Sequence, residues 1–370
     1  MMLTVLSIFG TRPEAIKMAP VVQQLNQYPQ QVRPVVCVTA QHRQMLDQVL
    51  QLFDITPDFD LNLMRPNQTL SQITAAVIQE LDPVIREVQP DWVLVQGDTT
   101  TVMAASLVAY YHRVKVGHVE AGLRTGNKYQ PFPEEINRRV TDVLADLYFT
   151  PTEWSRQNLL KEGVPDAAIK VTGNTVIDAL LQVAATAYDW ASGPLAAIPQ
   201  DKRLVTITAH RRESFGEPFE QLCLAIKALA ERYEGDCHFV YPVHLNPNVQ
   251  EPVYKILGRQ ANISLIEPLD YLPLVQLMKQ STLILTDSGG IQEEAPSLGV
   301  PVLVLRETTE RPEAIEVGTA RLVGTNQAKI VSEAIHLLDD PQAHAQMSKV
   351  ANPYGDGQAA RRIVEAVIKG

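Results

Sequence analysis

Cysteine is scarce: Cys37, Cys223 and Cys237 are the only three in 370 residues, and none belongs to a CxxC pair. The sequence therefore encodes no disulfide framework and no zinc site, and fits free thiols in a reducing compartment. Basic excess is missing too. Lys and Arg total 32 against 42 Asp and Glu, a net charge of −10, which argues against a general nucleic-acid or membrane-surface binder. Positive charge for an anionic substrate must then be concentrated locally. No window approaches the roughly 20 apolar residues of a membrane span. The opening Met1–Phe9 run lacks a basic flank and is too short for a signal peptide. These absences point to a soluble, cytoplasmic protein. Neither GxGxxG nor GxxxxGK[ST] occurs, which speaks against a nicotinamide dinucleotide or a P-loop nucleotide.

What is present is a large capacity for burial. Hydrophobic residues make up 45% of the chain and charged ones 20%, and at roughly 150 residues per domain the length favours two domains. Short apolar runs alternate with longer amphipathic segments. Leu3–Phe9, Pro34–Thr39, Asp91–Gln96, Lys115–Val119 and Leu147–Phe149 read as buried strands, separated by helical spacing over Ala15–Leu25, Thr69–Val88, Thr99–Tyr110 and Glu134–Leu144. The series restarts with Arg203–Thr208, His238–Pro242, Ile263–Leu265, Thr282–Thr286 and Pro301–Leu305, with helices at Phe219–Tyr233 and Leu272–Lys279. Such alternation implies parallel sheets covered on both faces. Two series imply two Rossmann-like domains, joined between Gly173 and Pro199. After the turn-rich Asn352–Gly357, a last helix carries Ala360, Ile363, Val364, Val367 and Ile368 on one face.

In parallel α/β sheets, ligands bind beyond the carboxyl ends of the strands. Arg12 and Lys17 follow the first strand, beside a helix start that favours anions. Asp98 follows the Trp92 strand and alone reads equally well as a helix N-cap. Glu120 ends the neighbouring strand. Glu134 opens the next helix, where a first-turn carboxylate paired with Arg138 is the simpler alternative. Three carboxylates on one sheet rim form a candidate acid–base set. In the second half, His210-Arg211-Arg212 suits a phosphate or a leaving group, or is an exposed basic turn. His244 is a second strand-end histidine. Ser288-Gly289-Gly290 runs from a buried strand into a helix, where missing Cβ atoms admit a diphosphate to backbone N–H groups. Glu294 lies one turn on, placed for a ribose diol, and Arg311 offers a further phosphate contact.

GTRPE with Lys17, QGDTTT, VEAGLRT, PFPEEINRR, GNTVIDAL, HRRESFG, PVHLNP, TDSGGIQEE and TERPEA appear in order between Gly10 and Ala314. Together they resemble the non-hydrolysing UDP-N-acetylglucosamine 2-epimerases. The resemblance implies a GT-B-like fold, two Rossmann-like domains with parallel sheets around a central cleft, the last helix returning to the first domain. The expected boundaries are 1–172 plus 355–370 for the first domain and 173–354 for the UDP-binding second. It implies Arg12, Lys17, His210, Ser288, Gly289, Gly290, Glu294 and Arg311 around UDP, and Asp98, Glu120 and Glu134 around the sugar with Arg138 nearby. Gln41, Gln44, Arg212 and His244 match an activating second UDP-GlcNAc site, although an Arg of some members is Asn67 here. Leu269 and Leu274 stand where many members carry Gln and Phe near uracil. The implied partners are UDP-GlcNAc, UDP-ManNAc and a second copy of the chain, in the supply of ManNAc units for surface polysaccharides; no cofactor or metal is implied.

The chemistry asks for such residues. The hydrogen at C-2 of an N-acetylhexosamine is not next to a carbonyl, and the usual oxidative route would need a dinucleotide. Departure of UDP from C-1 acidifies that hydrogen instead, and acid–base groups on two ring faces then invert C-2 through 2-acetamidoglucal. A hydrolysing epimerase, a GT-B glycosyltransferase and a non-catalytic UDP-sugar sensor are the competing readings.

Overall fold

The structure, a computed structural model, describes residues 2–39, 43–65 and 67–370, with Arg43 and Gln44 described in backbone alone. It divides into two compact units, Met1–Ala179 with Tyr354–Gly370, and Leu180–Pro353.

The first unit runs β1 (Leu3–Phe9), α1 (Arg12–Asn26), β2 (Val32–Val38), α2 (Arg43–Leu52), β3 (Phe59–Asp60), α3 (Leu70–Val88), β4 (Trp92–Gln96), α4 (Thr100–Tyr111), β5 (Lys115–Val119), α5 (Glu134–Leu144), β6 (Leu147–Thr150), α6 (Glu153–Lys161), β7 (Ile169–Val171) and α7 (Thr175–Ala185), in which the division between the units falls. Its strands pair in the order β3-β2-β1-β4-β5-β6-β7, all parallel. The near-continuous apolar strands follow from helices on both faces: Leu6, Ile8, Val93 and Val95 lie in one cluster with Val77, Leu81, Val102 and Val108 of α3 and α4.

The second unit continues with β8 (Arg203–Thr208), α8 (Glu217–Arg232), β9 (Cys237–Pro242), α9 (Pro247–Leu257), β10 (Ile263–Ile266), α10 (Tyr271–Gln280), β11 (Ser281–Thr286), α11 (Gly289–Glu294), β12 (Val302–Val304), α12 (Pro312–Val317), β13 (Ala320–Leu322), α13 (Gln327–Asp339) and α14 (Pro341–Ser348). The strand order is β10-β9-β8-β11-β12-β13, again all parallel. The last helix, α15 (Ala359–Lys369), belongs to the first unit and packs on α1. Asp178 caps it, accepting from the amides of Ala360 at 2.9 Å and Ala359 at 3.2 Å. These are two of the amides that a helix start leaves unpaired.

Each sheet reverses its strand order once, between β1 and β4 in the first unit and between β8 and β11 in the second. Loops after those strands diverge to opposite faces and open a crevice at the strand ends, where ligands of doubly wound sheets bind. GTRPE and QGDTTT stand at the ends of β1 and β4 at the first of these points, and HRRESFG and TDSGGIQEE at the ends of β8 and β11 at the second.

Candidate active site

In the first unit, Thr11 and Glu14 cap α1 reciprocally. Glu14 is buried and does more than cap. Its Oε2 accepts from the amides of Gly10 at 2.8 Å and Thr11 at 2.6 Å, while Oε1 accepts from the Thr99 hydroxyl at 2.6 Å. Burial raises its carboxyl above the ordinary range, and these hydrogen bonds oppose the shift only partly. The turn after β1 is thus tied to the turn after β4.

Thr99, not Asp98, is the N-cap of α4, accepting from the Val102 amide at 3.3 Å. Asp98 is left for another role: its Oδ2 accepts from Arg138 Nη2 at 2.5 Å. Burial pushes the Asp98 carboxyl up, but Arg138, then Lys17 and His118, more than offset it and hold it below the usual carboxylate value. The second terminal nitrogen of Arg138 donates to the backbone carbonyl of Glu120. Glu120 sits at φ 63°, in the left-handed region that costs a side-chain-bearing residue about 1–2 kcal/mol. Its Oε2 accepts from Lys17 Nζ at 2.6 Å and from the Gln96 amide. One buried guanidinium therefore organises two of the three candidate acids, and Lys17 joins them from α1.

Glu134 is half-buried in the first turn of α5, on the helix that carries Arg138. The local pair expected between them is replaced by longer-range bonds of Arg138, and the i,i+4 pair that does form is Glu135 with Arg139 at 3.1 Å. Among the described residues, no hydrogen bond or ion pair ties Glu134 into the Asp98–Arg138–Glu120 network. Arg12 is half-buried at the first position of α1.

In the second unit, Asp287 at the end of β11 is buried and gathers the turn after β8. Its Oδ2 accepts from the amides of His210 and Arg211, both at 2.7 Å, and its Oδ1 lies 3.6 Å from His210 Nδ1. The His210 ring stacks on His244, centroids 5.1 Å apart. Burial lowers the basicity of His210; Asp287 opposes this, while His244 and Arg211 add to it. Ser288 and Gly289 lead into α11. A Cβ on Gly289 would stand 3.9 Å from the Arg311 guanidinium, so that cation lies over the glycine backbone. Glu293 receives Arg311 Nε and fixes it, and Glu294 accepts from the Tyr271 hydroxyl at 2.9 Å. Arg212 is exposed. Gln41 lies outside the described residues, and so does the side chain of Gln44. Ser288, Gly289, Gly290, Glu294, Arg311 and His210 thus gather at one switch point, as Asp98, Glu120, Lys17 and Arg138 do at the other.

Four supporting groups escaped the sequence reading: Gln96 on Glu120, Glu14 on Thr99, Asp287 under His210, and His118 behind Asp98. For Gln96, His118 and Asp287 the available signal was a polar residue within or just after an apolar strand, since such a group must find a partner when buried; for Glu14 it was the Thr-x-x-Glu spacing of a capping box.

Two Rossmann-like units of parallel sheet define a GT-B-like α/β fold, with these constellations at the strand ends. The family profile of UDP-N-acetylglucosamine 2-epimerase matches residues 23–368. The UDP-N-acetylglucosamine 2-epimerase of Escherichia coli (strain K12) is 58% identical over 369 residues, 98% of either chain. Among solved structures, UDP-GlcNAc 2-epimerase from Neisseria meningitidis bound to UDP-GlcNAc is 50% identical, covers 100% of both chains and superposes with a TM-score of 0.88. The S. aureus MnaA–UDP structure is also 50% identical, covering 99% of this chain and 96% of that one, with a TM-score of 0.87. The chain belongs to the UDP-N-acetylglucosamine 2-epimerase family, a family of isomerases. No described helix is long and apolar enough to cross a membrane.

Proposed function

We propose that the protein interconverts UDP-GlcNAc and UDP-ManNAc by eliminating UDP and adding it back. The C-1–oxygen bond breaks with its electron pair on UDP, a carboxylate takes the C-2 hydrogen as a proton, and a C-1–C-2 double bond remains in 2-acetamidoglucal. Return of UDP to C-1 with a proton delivered to the other face of C-2 gives the epimer. Asp98, Glu120 and Glu134 divide the proton transfers, and Asp98 enters ionised. Arg12, Ser288, Gly289, Gly290, Glu294 and Arg311 hold the nucleotide, with His210 beside the leaving group. Fixed donors stabilise the charge that UDP acquires as it leaves, without reorganising at that moment.

The observation that carries this reading is the buried Arg138, shared between the carboxylate of Asp98 and the backbone of Glu120, with Lys17 on Glu120. Similarity to a relative solved with UDP-GlcNAc supports the substrate. Incubation with UDP-GlcNAc in D2O, followed by NMR, is expected to yield UDP-ManNAc carrying deuterium at C-2. Free ManNAc with stoichiometric UDP would instead identify a hydrolysing enzyme. An activating second UDP-GlcNAc predicts sigmoidal kinetics from UDP-ManNAc, made hyperbolic by traces of UDP-GlcNAc.

A homodimer of cytoplasmic chains, feeding surface polysaccharide synthesis, completes the proposal. Ile136, Val140 and Val143 are exposed at i, i+4 and i+7 on α5, and Tyr110 and Tyr111 are exposed on neighbouring α4. Charge placed in that stripe by Val143→Asp should shift the chain to monomer in light scattering.

A further inference from the structure

His118 lies in β5 between Gly117 and Val119, opposite Val95 of β4, with no exposed surface. Both of its ring nitrogens meet oxygen: Nδ1 is 2.6 Å from Asp142 Oδ1, and Nε2 is 2.7 Å from the carbonyl of Gly97. A carbonyl oxygen can only accept. Asp142 has no proton to give either: its other oxygen takes Arg124 Nη2 at 2.6 Å. Although burial pushes the Asp142 carboxyl up, His118 and Arg124 hold it below the usual range. A ring facing two acceptors must carry two N–H groups. The resulting cation is not stranded. It heads an alternating row of His118, Asp142, Arg124 and Glu162, the last pair at 2.6 Å, in which each buried charge has an opposite neighbour.

We propose that His118 is a positioning residue for Asp98: as an imidazolium it donates to Asp142 and to the Gly97 carbonyl, and thereby fixes the turn that presents Asp98. The inference rests on the reading of Asp98 as an acid–base group. Gly97 has φ 84° and its amide donates to the Val119 carbonyl at 3.0 Å, so β5 grips this residue at both ends. The Gly97 carbonyl belongs to the peptide plane that ends in the Asp98 nitrogen. Holding it sets the direction in which Asp98 leaves the strand. Asn137 holds the Asp98 carbonyl at 3.0 Å, and Glu14 holds Thr99. The ring also places positive charge behind Asp98, where Arg138 and Lys17 already act on it. The charged groups facing this corner are thus Asp142 and Arg138 from α5, Lys17 and Glu14 from α1, Glu120 and Arg124 beyond β5, and Glu162 beyond α6.

The test begins with 15N NMR of the intact histidine-labelled protein at neutral pH, the His118 resonances assigned by their loss in His118→Gln. Two protonated ring nitrogens are expected; one bare nitrogen overturns the proposal. In His118→Gln the Asp98 carboxyl, assigned by 13C NMR against Asp98→Asn, should titrate at higher pH. Turnover should fall roughly a hundredfold, with KM and UDP affinity unchanged, as expected for an acid–base group misplaced by about 1 Å. An unmoved Asp98 titration, or KM and turnover changing together, overturns it. Should His118→Gln fail to fold, Asp142→Asn keeps the shape and removes the charge that holds the second ring proton: one bare ring nitrogen is then expected, and a ring that stays doubly protonated overturns the proposal. Full turnover in Asp98→Asn would refute the catalytic reading of Asp98, and the ring state and the Asp98 titration would still decide whether His118 sets that carboxylate.

Discussion

Replacing Arg138 with Met removes one planar cation and keeps the length of the side chain. Arg138 is 5% exposed and its guanidinium serves two acceptors at once. Breaking a buried ion pair from one side costs about 3–5 kcal/mol. Because the Asp98 side chain retains 30% of its exposure, water and the remaining cations relieve part of that, and about 3 kcal/mol is expected. The first unit holds 196 residues, a size at which each kcal/mol moves Tm by roughly 2–4 °C, so its transition should fall by about 6–12 °C. The sign with pH follows from Asp98. Its carboxyl is held below its unfolded value, so the pair stabilises above about pH 4 and that contribution vanishes as pH falls through the lower folded value. The Tm gap between wild type and Arg138→Met should therefore close toward pH 3. Without Arg138 the Asp98 carboxyl rises, and the acid limb of the turnover profile moves to higher pH with it. UDP affinity by calorimetry should hold, because the proposed diphosphate cradle draws on Ser288–Gly290 and Arg311. Arg138→Lys should recover part of the Tm and little turnover, since an ammonium lacks the fork that reaches both acceptors. Unchanged Tm with full turnover, or UDP affinity lost in step with turnover, would refute the reasoning.

Gly289→Ala adds a methyl in ordinary contact with Arg311, and the backbone there needs no left-handed geometry. Thermal stability should hold or rise, since Ala is the better helix former, while calorimetry should show UDP binding weakened about tenfold, near 1.4 kcal/mol. Asp142, depressed below its unfolded value by His118 and Arg124 against burial, stabilises above about pH 4 and loses that contribution as pH falls. Urea midpoints between pH 6 and pH 3 should accordingly drop more steeply in wild type than in Asp142→Asn.

The long elements were legible because their periodicity is local. Leu3–Phe9 and Lys115–Val119 are strands at the expected bounds, and Thr69–Val88 differs from α3 by one residue. The strands Phe59–Asp60, Ile169–Val171 and Ala320–Leu322 were not read. Each has two or three residues at a sheet edge, too few to show a period. Charged partners were less legible still. Helical spacing nominated Glu134 for Arg138, but the guanidinium turns to Asp98 and Glu120, 40 and 18 positions away. Spacing reports which side chains are near on one helix and is blind to stronger acceptors brought up by another strand.

That blindness has a pattern. The residues found by motif stand after the strands, where the chain must turn and where glycine, proline and charge are conspicuous. Of the residues that were missed, Gln96, His118 and Asp287 stand on the strands or one residue past their ends, among apolar neighbours that the sheet requires. A polar group there has given up water and must be held by something the fold supplies. In each case the partner stands just past the end of the adjacent strand: the Glu120 carboxylate for Gln96, the Gly97 carbonyl for His118, the amides of His210 and Arg211 for Asp287. The turn that bears a candidate functional side chain is thus fixed by a buried polar group from the adjacent strand, and the rigid sheet, more than the loop itself, sets the geometry in which the acids and the histidine stand.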